Sequence, residues 1–291
     1  APPGQSDSLV AIYSLAVTLA LNVMVFPGAV GSIFLPEISK LVGKNDMEGV
    51  RKAMATAQRW VLFITIPFTV VMIAFAREML STFYGSEYVA GWIAMSLFSV
   101  GMAFASFVLV ISLGLAGIRM VALELKISFV TFIANIILCI LLIPSFGMEG
   151  AAAASAASFA VYAALLIYYG WKVLKFRVPA EAYKLFAIGV VTCALVFAFK
   201  PVFEVAATML PAIAIPWAQP YISKVEYLLL LGVASSAAFV VFGSLSLLAH
   251  CFEKEDIDVM RKAAKRVKMP QQLLSFAERI MLLGVSRKKG E

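Results

Sequence analysis

Apolar residues in this chain come as long unbroken runs, not in the two-residue alternation of barrel strands. The clearest pair lies between Ile127 and Gly170, where two runs flank the tight turn Pro144-Ser145-Phe146-Gly147-Met148-Glu149-Gly150. Each is roughly 17 to 20 residues, enough for an α-helix to cross a hydrocarbon core about 30 Å thick. Backbone groups in lipid must be satisfied internally, so helices are predicted. The second run is rich in Ala and Ser, and Gly150, Ala154 and Ser158 recur every four residues. That small-residue stripe predicts a helix-packing surface.

The same pattern predicts spans at 9–35 (interrupted by Pro27), 60–76, 90–117, the two arms of the hairpin, 185–199 and 227–249. Seven crossings result, an all-α polytopic membrane fold. Between the first two, Asn45 with Glu48 three residues on is expected to form a capping box. Met47, Val50, Met54 and Ala57 then step by 3, 4 and 3, predicting a short amphipathic helix on the membrane surface. Pro201, Pro211, Pro216 and Pro220 break the chain before the last span, with Trp217 and Tyr221 at interfacial positions. The organisation expected is five spans over 1–184, two more over 185–252, and a basic tail over 253–291. In the tail, Glu253-Lys254-Glu255-Asp256 is expected as a solvated first helical turn. Leu273, Phe276, Ile280 and Leu283 step by 3, 4 and 3, predicting a second surface helix on anionic lipid.

Composition agrees with this reading. Hydrophobic residues make up 62% and charged residues 14%, with mean hydropathy +0.95, whereas soluble domains carry about 25% charge. Of the 24 Lys and Arg, 21 fall on one side of the seven-span plan and only Arg77, Lys200 and Lys224 on the other. Basic loops stay cytoplasmic, so the first residues are expected outside and the tail inside. The chain begins at Ala1 without a charged leader, which suggests a processed chain or a piece of a longer one.

Catalytic signatures are missing. The single histidine, His250, and the scattered Cys139, Cys193 and Cys251 offer no metal spacing, and buried thiols are expected. Acylation of Cys251 at the membrane boundary is the alternative for that residue. No glycine-rich phosphate loop, GxSxG or HExxH occurs. A non-enzyme with no cofactor, no metal and no nucleic-acid partner is expected. Inside the spans the candidates are uncharged: Tyr13 and Asn22 on the first, Thr131 and Asn135 on the hairpin's first arm. They can line a substrate pathway or simply bond helix to helix. Arg119, Glu124 and Lys126 cluster at the cytoplasmic end, either as snorkelling anchors or as a vestibule for an anionic headgroup.

Four stretches carry a family resemblance: Phe34-Leu35-Pro36-Glu37-Ile38-Ser39-Lys40-Leu41 followed by Lys44-Asn45-Asp46; Phe83-Tyr84-Gly85-Ser86-Glu87-Tyr88; Asn135 through Leu142-Ile143-Pro144-Ser145-Phe146-Gly147-Met148-Glu149-Gly150-Ala151-Ala152; and Phe252-Glu253-Lys254-Glu255-Asp256. In order and spacing they resemble the polysaccharide and oligosaccharide-lipid flippases of the multidrug/oligosaccharidyl-lipid/polysaccharide exporter superfamily. The resemblance implies fourteen helices in two six-helix lobes plus a final pair, with this chain matching helices eight to fourteen. It also implies a cavity between the lobes, membrane lipids and a polyprenyl-(pyro)phosphate-linked glycan as partners, a first lobe supplied by additional chain, and location in the plasma membrane. A drug exporter of the same superfamily is the alternative. A seven-helix receptor is a further alternative, suited by a start outside and a tail inside; a retinal-binding one would need a lysine in the last span, and Tyr227 to Ala249 contains none.

Overall fold

A computed structural model describes residues 5–209 and 219–253, together with Asp256, Ile257, Arg261 and Arg279. The described chain is helical nearly throughout: α1 (Gln5–Leu21), a 3₁₀ turn (Asn22–Met24), α2 (Val25–Gly43), α3 (Met47–Ala74), α4 (Ala76–Phe83), a second 3₁₀ turn (Ser86–Gly91), α5 (Trp92–Gly117), α6 (Val121–Tyr169), α7 (Ala180–Met209) and α8 (Gln219–Leu248). Six stretches among the described residues are long and apolar enough to cross a membrane. One of them, Val121–Leu174, does so twice. At Gly147 the backbone turns to φ 58° and ψ −131°, a conformation that costs an L side chain but not glycine. Asn135 on the first arm then lies beside Ser158 on the second, with Asn135 Nδ2 3.1 Å from Ser158 Oγ. The predicted hairpin is therefore present, and the six stretches make seven crossings.

Pro27 leaves the Val23 carbonyl without an i+4 partner, and the helix tightens to 3₁₀ at Asn22–Met24, just before it. α3 and α5 form the centre of the bundle: 72% and 61% of an apolar 18-residue stretch of each is buried, against 6% for such a stretch of the Val121–Leu174 hairpin. One core joins α2, α3, α5 and α7 around Ile38, Met54, Ile111, Leu115 and Leu185. A second packs α1 on α3, α4 and α5 around Ala16, Met72 and Met95. A third holds α7 and α8 against the end of α3.

Three expectations are corrected here. The stretch from 36 to 59 is not a separate surface helix: α2 runs through Pro36 to Gly43, and Met47 opens a 28-residue α3. The 3-4-3 stripe exists, but Val50, Met54 and Ala57 are essentially inaccessible, packed in the core instead of on lipid. A Cβ on Gly114 would come within 2.8 Å of the Met54 sulfur, so α5 lies directly over that stripe. Nor does Asn45 cap the helix. It occupies the turn at φ 57°, and Asp46 is the cap, its Oδ1 accepting the Gly49 N–H at 2.8 Å.

The third correction concerns charge. Asp256 is not in a solvated turn; it is fully buried and paired with an equally buried Arg59 on α3. After α8, His250 turns the chain at φ 50°, and Cys251, Phe252 and Ile257 pack down against the bundle. Phe252 stacks near Trp60 and Phe63. Pro211, Pro216 and Trp217, and the stretch through Leu273, Phe276, Ile280 and Leu283 expected as a surface helix, lie outside the described residues.

Candidate functional site

A groove of about 520 Å³ opens between α5 and the two arms of α6, closed at one edge by Met24. Its polar lining follows from two helical stripes. Ser128, Thr131 and Asn135 step by 3 and 4 on the first arm; Ser155, Ser158 and Tyr162 step by 3 and 4 on the second. Residues so spaced share one helix face, and the fold at Gly147 turns the two faces toward each other. α5 adds Phe98, Ala105, Leu109 and Ser112.

Three of the lining hydroxyls are satisfied within their own helices. Thr131 donates to the Ile127 carbonyl at 3.0 Å, Ser155 to Ala151 at 3.0 Å and Ser158 to Ala154 at 2.7 Å. Asn135 bridges the arms, donating to Ser158 Oγ and accepting weakly from Cys139 Sγ at 3.8 Å. Tyr13 on α1 lies near Ser155 of the second arm. At the other end, Glu124 Oε1 accepts from the hydroxyls of Ser112 and Tyr162, the latter at 3.5 Å. None of the residues lining the groove is cationic.

The structure thus brings Thr131 and Asn135 to one groove, and Tyr13 is not among the residues that line it. Asn22 stays apart: its amide donates back to the Thr18 and Leu19 carbonyls of its own helix at 3.1 and 3.0 Å, and it is exposed. The charged trio divides as well. Glu124 turns in toward Ser112 and Tyr162, while Arg119, in the left-handed turn between α5 and α6, and Lys126 stay exposed. Sequence reading passed over Ser155 and Tyr162, although their spacing mirrors that of the first arm. Ser158 was legible only as part of a small-residue stripe. It packs there, fully buried, and also meets Asn135.

Two ionic sites lie away from the groove. Arg59 Nε is 2.9 Å from Asp256 Oδ2, and Arg59 Nη1 is 3.1 Å from Glu253 Oε2. At the opposite end of α3, Lys200 Nζ sits 2.8 Å from Glu78 Oε1 and 2.9 Å from the Ala74 carbonyl. Arg77 stacks over Trp92 at 4.2 Å. Among the described residues, no group of three or more His, Cys, Asp or Glu side chains is placed to hold a metal ion.

The sequence model of the family described as "Lipid II flippase MurJ" matches residues 6–218. The probable low-salt glycan biosynthesis flippase Agl15 of Haloferax volcanii is 26% identical over 164 residues, which is 56% of this chain and 35% of that protein. A solved structure, the lipid II flippase MurJ in an inward closed conformation, superposes with a TM-score of 0.57 at 18% identity, over 77% of this chain and 47% of that one. This structural likeness shows a shared fold. The chain spans between a third and a half of the length of these two proteins.

Proposed function

We propose, from the premise that the chain belongs to the lipid II flippase MurJ family, that it forms the C-terminal part of a transporter that flips a lipid-linked oligosaccharide across the cytoplasmic membrane. The remaining length of the relatives would supply the first lobe and the other wall of the transport cavity. A polyprenyl-(pyro)phosphate-linked glycan cannot cross lipid alone, because an isolated charge in low dielectric costs tens of kcal/mol by the Born estimate. A polar cleft between two lobes removes most of that barrier while the polyprenyl chain stays in lipid. Rocking of the lobes then exposes the cleft to each side in turn. No bond is made or broken.

The observation that carries this reading is the groove itself. Seven hydroxyl or amide side chains line a cavity within a bundle whose neighbouring surfaces are apolar. The basic-residue balance supports placing the start of the chain outside and the tail in the cytoplasm. The test is depletion of the full-length protein in its own cells. Lipid-linked glycan is expected to accumulate on the cytoplasmic leaflet; unchanged leaflet distribution would reject the proposal.

A further inference from the structure

We infer that the break between α3 and α4 carries a site of its own, which holds the phosphate of a membrane lipid on the face opposite the basic loops. That face is poor in cations: of the 24 Lys and Arg, only Arg77, Lys200 and Lys224 fall on it. Two of these three converge in space. Arg77 lies in the first turn of α4, Lys200 reaches it from α7, and both border one cleft with Glu78 and Trp92. Every group in this cluster is positioned by contacts within the chain itself, and none of them depends on what the protein transports.

The two cations are not equivalent. Lys200 is committed: its Nζ is 2.8 Å from Glu78 Oε1 and 2.9 Å from the Ala74 carbonyl, at the end of α3 where intrahelical partners run out. It ties α7 to the break and cancels the charge of Glu78. Arg77 remains as net charge. It is exposed and forms no ion pair with a described residue. Its guanidinium carbon stands 4.2 Å over the Trp92 ring. Stacking occupies the flat face of the guanidinium and leaves its N–H edge, a fixed fork of donors, open. That edge matches two oxygens of a phosphate. A cation already held on a ring also loses less freedom on binding than a free one. Holding α7 to α3 accounts for Lys200 and Glu78, but it leaves Arg77 without a counter-charge.

Depth selects a lipid as the source. Lys200 lies about 20 residues beyond Ala180, where α7 begins, or about 30 Å along a helix rising 1.5 Å per residue. That is the thickness of a hydrocarbon core, so the cluster sits where acyl chains end and headgroup phosphates begin. Aromatic residues mark the same level, as they do at membrane boundaries. Trp92 opens α5, and Tyr84 and Tyr88 meet edge to face in the connection from α4, ring centres 6.2 Å apart.

The test is photocrosslinking of the full-length protein in phosphatidylcholine nanodiscs that contain a phosphatidylglycerol analogue with a photoactivatable headgroup. Adducts are mapped by peptide mass spectrometry, and those on the basic loops serve as the reference for folding and lipid incorporation. Adducts are expected on the peptides around Arg77 and Lys200. Arg77→Gln should lower them about three- to tenfold against the reference, the loss of one hydrogen bond to a phosphate. Glu78→Gln removes a repelling carboxylate and frees Lys200, and should raise them about twofold, an increase that a misfolded variant would not give. Competition identifies the lipid. Stronger displacement by polyprenyl pyrophosphate than by unlabelled phosphatidylglycerol assigns the site to an isoprenoid carrier; equal or weaker displacement assigns it to bulk anionic lipid. The site is overturned by no adduct at the cluster, by Arg77→Gln labelling like the wild type, or by Glu78→Gln labelling less with the loop signal unchanged. Displacement by inorganic phosphate as readily as by either lipid would overturn the lipid as its ligand.

Discussion

Arg59 on α3 and Asp256 beyond α8 meet inside the protein, 2.9 Å apart and 197 residues distant in sequence. Thr56 Oγ1 accepts a second bond from the guanidinium at 3.3 Å, and the Glu253 N–H donates to Asp256 Oδ2 at 2.7 Å. A buried pair of this kind contributes little net stability over an apolar pair, but removing one partner strands the other's charge. Arg59→Met alone is expected to destabilise the protein by about 3–5 kcal/mol. Arg59→Met with Asp256→Leu should recover most of that loss. Glu253 is partly exposed, so Glu253→Gln should cost under about 1 kcal/mol. Thermal unfolding in detergent reads all three; a single replacement no worse than the double would show the pair is not buried as described.

The hairpin turn yields a prediction about backbone alone. Nothing lies within 4 Å of a Cβ built on Gly147, yet its φ is +58°. Gly147→Ala is therefore expected to cost about 1–3 kcal/mol through strain and not through contact. At Gly150 the position is reversed, because a Cβ there would collide with the Leu142 carbonyl. Gly150→Ala should force the two arms apart and lower the unfolding midpoint further than Gly147→Ala. Equal midpoints for the two variants and the wild type would contradict the turn.

Cys251 follows α8 and is 1% exposed. Burial pushes its thiol above the ordinary value of 9.0, with Lys184 opposing the shift and Glu181 adding to it. The thiolate is the reactive form, so with Cys139 and Cys193 replaced, Cys251 should resist maleimide at pH 8 until the protein is unfolded. The folded state holds the thiol proton more tightly than the unfolded state. Its contribution to stability is therefore complete below pH 9.0 and is lost as pH rises through the raised folded value. Fast labelling of the native protein at pH 8 would place Cys251 at the surface, where acylation becomes feasible.

Orientation can be read directly. In a cysteine-free background, Ser145→Cys in the hairpin turn should react with an impermeant maleimide added outside intact cells. Lys172→Cys, beyond the second arm, should react only after permeabilisation. The opposite pattern would invert the orientation inferred from the basic loops.

Much of this fold was legible because helix length and turn chemistry are local properties. The turn from Pro144 to Gly150 and the long apolar runs could be read directly from the residues. What was hidden depends on neighbours that a sequence does not display. The stripe Met47, Val50, Met54, Ala57 has the same period whether it faces lipid or α5, so burial of that stripe could not be read from spacing. Asn45 and Asp46 are both good caps; only the left-handed φ of Asn45 decides between them. Arg59 and Asp256 carry no local pattern that pairs them. In the groove, Thr131 and Asn135 were visible as polar residues within an apolar arm. Ser155 was masked by the alanines around it, and Tyr162 by the apolar residues of its own arm.

Translocation is the most direct test of the central claim. A fluorescent polyprenyl-pyrophosphate oligosaccharide is placed in proteoliposomes containing the full-length protein, and its access to an impermeant quencher is followed with time. The expected result is protein-dependent exchange of the lipid between leaflets, slowed by Asn135→Ala. Export of a cationic dye with no movement of the lipid would contradict the proposal and favour a drug exporter.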